Sequence, residues 1–155
     1  MPLTILRVQK EAFDSAAEIA PLLAGRSDIG ALVTFTGLCR DEGGTLSGLE
    51  IEHYPGMAEE EIGRVVGDAC ARWPLEAVLV IHRHGLIRSC EPIVLVATAS
   101  QHRGEAFAAA EFLMDYLKTR APFWKKQHGA QEGDGRGDWV AAKAQDDAAA
   151  EKWRS

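Results

Sequence analysis

The sequence predicts an α+β fold in a single domain, with a largely antiparallel sheet flanked by helices. Three observations support this. The apolar period switches repeatedly between two and about 3.6 along the 155 residues. Strand-like stretches come in adjacent pairs, roughly in the order βαββαββα, which is too strand-paired for a doubly wound parallel sheet. No internal repeat or composition break marks a second domain, and the length suits one core.

Leu3 to Val8 reads as a short first strand. Asp14 can then cap a helix whose apolar stripe is Ala17, Ile19, Ala20, Leu22 and Leu23, with Gly25 as its stop. Ile29 to Thr36 is rich in β-branched residues and reads as a buried strand. Leu49, Ile51 and His53 alternate with Glu50, Glu52 and Tyr54, as a half-exposed strand would. The stretch between them, Asp41 to Gly48, carries three glycines and reads as a mobile loop. Ile62, Val65, Val66, Ala69, Cys70 and Trp73 recur at helical spacing before Pro74, so Ala58 to Trp73 is expected to be the second helix, with Cys70 in the core.

Ala77 to Ile81 and Ile93 to Ala99 are two further apolar strands, joined by a hairpin-like excursion between Gly85 and Pro92. Ser100 is expected to cap a long helix with the stripe Ala106, Ala109, Ala110, Leu113, Met114 and Leu117, which runs up to Pro122. Gln127 to Gly137, with four glycines, reads as a flexible flap. Packing resumes at Trp139 and Val140, and Ala141 to Trp153 is expected to form the last helix.

Composition narrows the function. With 46% apolar and 26% charged residues the chain is globular, and a formal net charge of −6 disfavours generic nucleic-acid binding, which rewards a basic face. No apolar run reaches the roughly 18 to 20 residues needed to span a bilayer, and Met1 to Lys10 lacks the order of a signal peptide, so a soluble, cytoplasmic protein is expected. Cys39, Cys70 and Cys90 are odd in number and far apart, which disfavours a disulfide framework or a zinc motif. His82 and His84 flank Arg83 at a strand end and would share one face, but a metal there lacks a third ligand. No metal or cofactor is expected.

Positive charge is nevertheless concentrated in one place. Lys118, Arg120, Lys125 and Lys126 crowd the thirteen residues from Met114 to Lys126, where a helix meets Pro122 and the pair Phe123 and Trp124. Such charges repel one another unless solvent or an anionic guest offsets them. An anion site at a helix end is the expectation.

Six strings carry a resemblance. They are VTFTG from Val33 to Gly37 with Arg40, EHYPGM from Glu52 to Met57, RWPL from Arg72 to Leu75, IHR from Ile81 to Arg83, Ser100 with His102 and Arg103, and MDYLKTRAPFWK from Met114 to Lys125. In this order and spacing the chain, from about Gly30 to Trp153, resembles the catalytic (large) subunit of molybdopterin synthase. The resemblance implies an α/β hammerhead-like fold and sulfur transfer in molybdenum cofactor biosynthesis, converting cyclic pyranopterin monophosphate into the dithiolene of molybdopterin. It also implies that the sulfur arrives as a thiocarboxylate on the C-terminal Gly-Gly tail of a small ubiquitin-like subunit. Two large subunits would form a central homodimer within a heterotetramer.

By the same resemblance Lys118 and Lys125 are the candidate catalytic residues, and Arg40, His102 and Arg103 the candidate substrate-binding residues. The residue types suit the chemistry. A phosphate-bearing substrate and an anionic tail repel each other, so their meeting place needs several cations. Guanidinium forks bind phosphate and pterin oxygens bidentately, and an ammonium beside the tail's last carbonyl can stabilise an oxyanion or move a proton, helped if desolvation lowers its pKa. The plain alternative is that lysines near a helix C-terminus are solvated charges favoured by the macrodipole. His102 and Arg103 lie instead in a first helical turn, where a cation opposes that dipole and suggests another use. Phe35 and Met114 have two readings, lining the pocket or plain core, and the second is preferred, so neither is counted among the site residues.

Spacing adds a constraint. On one continuous helix, Arg103 and Lys118 stand roughly 22 Å apart, fifteen residues at a 1.5 Å rise each. Either the helix breaks near Gly104, or each site combines the lysines of one protomer with His102 and Arg103 of its twin, and the shared arrangement is expected. Cys39, beside Arg40, has two readings: a thiolate sulfur relay, or a small hydrophobe completing a strand end, and the second is preferred. Two other functions remain open: a scaffold that holds a ubiquitin-like Gly-Gly tail without chemistry, and an RNA platform built from Lys118 to Lys126 with Phe123 and Trp124.

Overall fold

The structure, a computed structural model, describes residues 2–41, 46–119, 122–129, 139–140 and 144–154. Its elements are β1 (Leu3–Gln9), α1 (Ser15–Leu23), β2 (Ala31–Leu38), β3 (Leu46–His53), α2 (Met57–Arg72), β4 (Leu75–Arg83), β5 (Gly85–Arg88), β6 (Pro92–Ser100), α3 (Arg103–Thr119), β7 (Phe123–Gly129), β8 (Trp139–Val140) and α4 (Ala144–Glu151). The class is α+β as the sequence predicts, but the strands divide between two four-stranded sheets rather than one.

The first sheet has the order β1-β4-β6-β2, with β1 parallel to β4 and the other pairs antiparallel. Both its faces are covered, which is why β4 and β6 read as unbroken apolar runs rather than alternating ones. Val78, Val80, Val94 and Val96 face α2 and α3, where they pack with Ile62, Val66, Phe112 and Leu113. Ala77, Leu79, Ile81 and Leu95 face the other way, onto Leu22 and the flanking Phe13 and Ile19 of the α1 region. Helix α1 starts as expected, the Asp14 carboxylate accepting from the Ala16 N–H at 3.0 Å, and Gly25 follows it at φ 69°.

The second sheet, β5-β3-β7-β8, is antiparallel. It exists because the chain leaves the first sheet after Arg83 through Gly85, at φ 85°, and lays β5 against β3. A positive φ of this kind is cheap only for glycine. Leu49, Ile51 and Ile87 then form a small core with Cys39, flanked by Ile93 and Phe123.

Several boundaries differ from expectation. Ser100 is not a helix cap: it is buried at the end of β6 and donates its hydroxyl to the Pro74 carbonyl at 2.9 Å, and α3 begins at Arg103. Helix α3 is described as far as Thr119, and the rest of the run expected up to Pro122, Arg120 and Ala121, lies outside the described residues. The mobile loop expected over 41–48 ends earlier, because Leu46–Gly48 already pair with β7 and β5. Likewise Gln127, His128 and Gly129 belong to β7, not to a flap, since their backbone pairs with β3. Residues 42–45 and 130–138 lie outside the described residues, and the last helix is described from Ala144.

One turn is unusual. Cys90 has φ 75°, while the Glu91 N–H donates to the Arg88 carbonyl at 3.1 Å, the Cys90 N–H to the Cys39 carbonyl at 2.7 Å and the Cys39 N–H to the Glu91 carbonyl at 2.8 Å. This is the bonding of a β-bulge whose first residue is ordinarily glycine. Here a cysteine occupies it, directly opposite the residue that precedes Arg40.

Candidate active site

Lys118 and Lys125 come from different elements yet line one cleft. Lys118 is in the last turn of α3 and exposed, and Lys125 is the third residue of β7 and half-buried. Gly37, Leu38, His82, Ile93, Val94, Met114, Leu117 and Phe123 complete the walls of this cleft of about 80 Å³. No carboxylate lines it among the described residues. The two cations therefore share a small cleft, where an incoming anion meets a concentrated positive field.

Each wall has a local cause. Helix α3 is described to Thr119 and Pro122 cannot continue it, so Lys118 stands in the last described turn, where the helix's carbonyls also favour a cation. Strand β7 pairs Phe123 with His53 and Lys125 with Ile51, and residues two apart on a strand share a face. Phe123 stacks on His82, ring centroids 3.8 Å apart and planes 10° from parallel, so its neighbour Lys125 is delivered to the same cleft. Gly37 leaves the opposite wall open: a Cβ there would lie 2.8 Å from Val94 Cγ1.

His82 is the unexpected member. It is 5% exposed, and its Nδ1 lies 2.8 Å from the Arg83 carbonyl oxygen. Burial pushes its pKa down to about 3, the charges of Lys125, Lys118 and His53 push the same way, and only the Arg83 carbonyl opposes them. His84 packs against His53 at 4.1 Å, its pKa also lowered chiefly by burial. No three His, Cys, Asp or Glu side chains among the described residues group as metal ligands.

The remaining expected residues lie elsewhere. Arg40 is exposed two residues beyond Leu38, on the segment that the Cys90 turn ties down. His102 and Arg103 are exposed at the start of α3. The helix runs unbroken through Gly104 from Arg103 to Thr119, so the first of the two spacing alternatives fails and Arg103 stands about 22 Å from Lys118 within the chain. Met114, read as core, lines the lysine cleft and also a neighbouring apolar one with Val33, Phe35 and Phe107, where Phe35 is 41% exposed.

Cys39 is buried, with its Sγ 3.7 Å from the Ile87 carbonyl, and burial pushes its thiol pKa up, which disfavours the thiolate that a sulfur relay needs. Cys70 packs at the edge of the main core. Phe123 commits one ring face to His82, which leaves less of it for an RNA-stacking platform. No helix among the described residues is long and apolar enough to cross a membrane.

Known proteins match this arrangement along nearly its whole length. The profile of the MoaE protein family covers residues 8–120. The molybdopterin synthase catalytic subunit of Mesorhizobium japonicum is 61% identical over 150 residues, which is 97% of this chain and 93% of that one. The molybdopterin biosynthesis MoaE protein of Burkholderia ambifaria MC40-6 superposes with a TM-score of 0.82 at 43% identity, covering 99% of each chain. At 19% identity the fold recurs, with a TM-score of 0.72 over 90% of this chain and 91% of the other, in a Helicobacter pylori structure described as a complex of subunits 1 and 2 of molybdopterin-converting factor. The chain therefore belongs to the MoaE family, that of the catalytic subunit of molybdopterin synthase.

Proposed function

We propose that the cleft between Lys118 and Lys125 receives the thiocarboxylate tail of a small ubiquitin-like carrier subunit and directs its sulfur onto a pterin phosphate. The observation that carries this reading is the convergence of two lysines from separate elements on one cleft lined by no carboxylate among the described residues. Its volume of about 80 Å³ suits the end of an extended di-glycine tail better than the fused rings of a pyranopterin. The pterin phosphate then lies at the mouth, held by Arg40 and by His102 and Arg103 of a second protomer, because α3 is too long for one chain to supply both ends. A homodimer carrying a carrier subunit at each site, the heterotetramer, follows from that arrangement, and the cytoplasm is its expected location.

In the transfer the tail's sulfur bonds to a pterin carbon as the C–O bond at that carbon breaks and its oxygen leaves with a proton. Water then adds to the acyl carbon, the bond from sulfur to that carbon breaks, the sulfur stays on the pterin as a thiolate and the tail departs as a carboxylate. Lys118 faces the charge that develops on the acyl oxygen, and Lys125 offsets the second anion. The test uses purified protein, thiocarboxylated carrier and the pterin precursor, with product read by fluorescence after oxidation. Lys118→Ala is expected to lower turnover by about 10²- to 10³-fold, the usual effect of removing an oxyanion donor, with carrier binding intact. Unchanged turnover refutes the assignment; a wild-type protein that binds carrier but makes no product would instead favour the scaffold.

A further inference from the structure

The imidazole of His82 forms part of the cleft wall but has no role in the chemistry described above. Its Nδ1 faces the Arg83 carbonyl oxygen at 2.8 Å, and a carbonyl oxygen only accepts, so Nδ1 carries the hydrogen. Nε2 is left with a lone pair on the opposite side of the ring. It is the sole nitrogen acceptor among the described side chains lining the cleft. The stack on Phe123 fixes the plane of the ring, and the same strand face brings Lys125 beside it.

We propose that His82 is a positioning residue for the sulfur transfer: its neutral Nε2 accepts a hydrogen bond from the Lys125 ammonium and so fixes where the second cation of the cleft stands. This rests on the assignment of Lys118 and Lys125 as the reacting pair. A lysine stem has many rotamers, and a cation that wanders stabilises no particular oxygen. A carboxylate in the same place would hold the ammonium but cancel the field an anionic guest needs. A charged imidazole would add a third like charge beside Lys118 on α3 and Lys125 on β7, with His53 on β3 also facing it. The neutral ring orients the lysine without either cost, and its burial, with the two lysine charges, keeps it neutral.

The test compares His82→Phe, which retains a ring to stack on Phe123, with His82→Gln, whose amide oxygen can accept in place of Nε2. Assays use the full chain with thiocarboxylated carrier and the pterin precursor. His82→Phe is expected to bind carrier as the wild type does and to lose about tenfold in kcat with KM unchanged, the worth of one hydrogen bond to a charged group. His82→Gln should regain most of that loss. Turnover of His82→Phe within twofold of wild type, or His82→Gln as slow as His82→Phe, overturns the proposal. If His82→Phe does not fold, nitrogen NMR of the wild-type imidazole decides: hydrogen on Nδ1 supports the proposal, and hydrogen on Nε2 overturns it. Lys118→Ala run alongside separates the two ideas. Full activity in that variant sinks the lysine assignment itself, whereas an inactive Lys118→Ala with a fully active His82→Phe sinks only the role of His82.

Discussion

Acid should destabilise this fold through His82 in a measurable and removable way. In the unfolded chain the imidazole titrates near 6.5, and in the folded protein at about 3. Between those values the unfolded state binds the extra proton, so folding stability falls as pH falls and is complete only above the upper value. From pH 7 to pH 5 the linkage amounts to about 2 kcal/mol, and by pH 3 to about 4 kcal/mol, at roughly 1.36 kcal/mol per unit of pKa difference. For a chain of this length 2 kcal/mol corresponds to about 4–8 °C in Tm. Burial sets most of the shift, the adjacent Arg83 carbonyl opposes it, and Lys125 on β7, Lys118 on α3 and His53 on β3 add to it. His82→Gln removes the titration and leaves every carboxylate in place. Unfolding in urea, followed by circular dichroism at pH 7 and pH 5, should then show the wild type losing about 2 kcal/mol more than the variant. Equal losses would refute the burial argument.

Four further outcomes are expected. Mixing Lys118→Ala with Arg103→Ala protein should restore about a quarter of wild-type turnover, because half of randomly exchanged dimers are mixed and each holds one intact site of two; no recovery after confirmed exchange refutes the shared site. Cys90→Gly should raise stability by about 1 kcal/mol, since the left-handed backbone strains any other residue, and Cys90→Val should lower it, both read by thermal unfolding. Gly30→Ala should cost about 2–4 kcal/mol, because its Cβ would meet the Gln101 carbonyl oxygen at 2.1 Å, and it should also weaken pterin binding by displacing the segment that leads into His102. Cys39→Ser should leave product formation unchanged while costing about 1–3 kcal/mol in urea unfolding for burying a hydroxyl.

The elements most readable in the sequence were those whose burial follows a single period. Helix α2, with Ile62, Val65, Val66 and Ala69 turned inward, and strands β4 and β6, apolar on both faces, fall where the pattern puts them. Strand β7 was missed because its sequence, Phe-Trp-Lys-Lys-Gln-His-Gly, has little alternation of its own; pairing with β3 organises it, and that contact is remote in sequence. The split into two sheets was hidden for the same reason, since it depends on which strand β5 meets after Gly85. Lys118 and Lys125 were readable as a crowd of like charges, and the structure brings both to one cleft. His82 was weighed only as a metal ligand, although its place on the face of Val78 and Val80 already pointed toward α3. For Met114 the sequence leaves core and cleft wall both open, because a thioether on an apolar stripe carries no mark that separates them, and the structure puts it in the cleft wall.

The pairing of β7 with β3 sets a mechanical tolerance for the chemistry. Lys125 reaches the cleft because it stands opposite Ile51, two places after a phenylalanine opposite His53. Sliding one strand past the other by a single residue would preserve most of the ladder yet rotate the ammonium to the far side of the ribbon. If Lys125 has the role proposed for it, this ribbon is indexed like a toothed rack, correct at one setting and void at the next, and a one-residue insertion between Phe123 and Lys125 would turn the ammonium out of the cleft while leaving a folded protein behind.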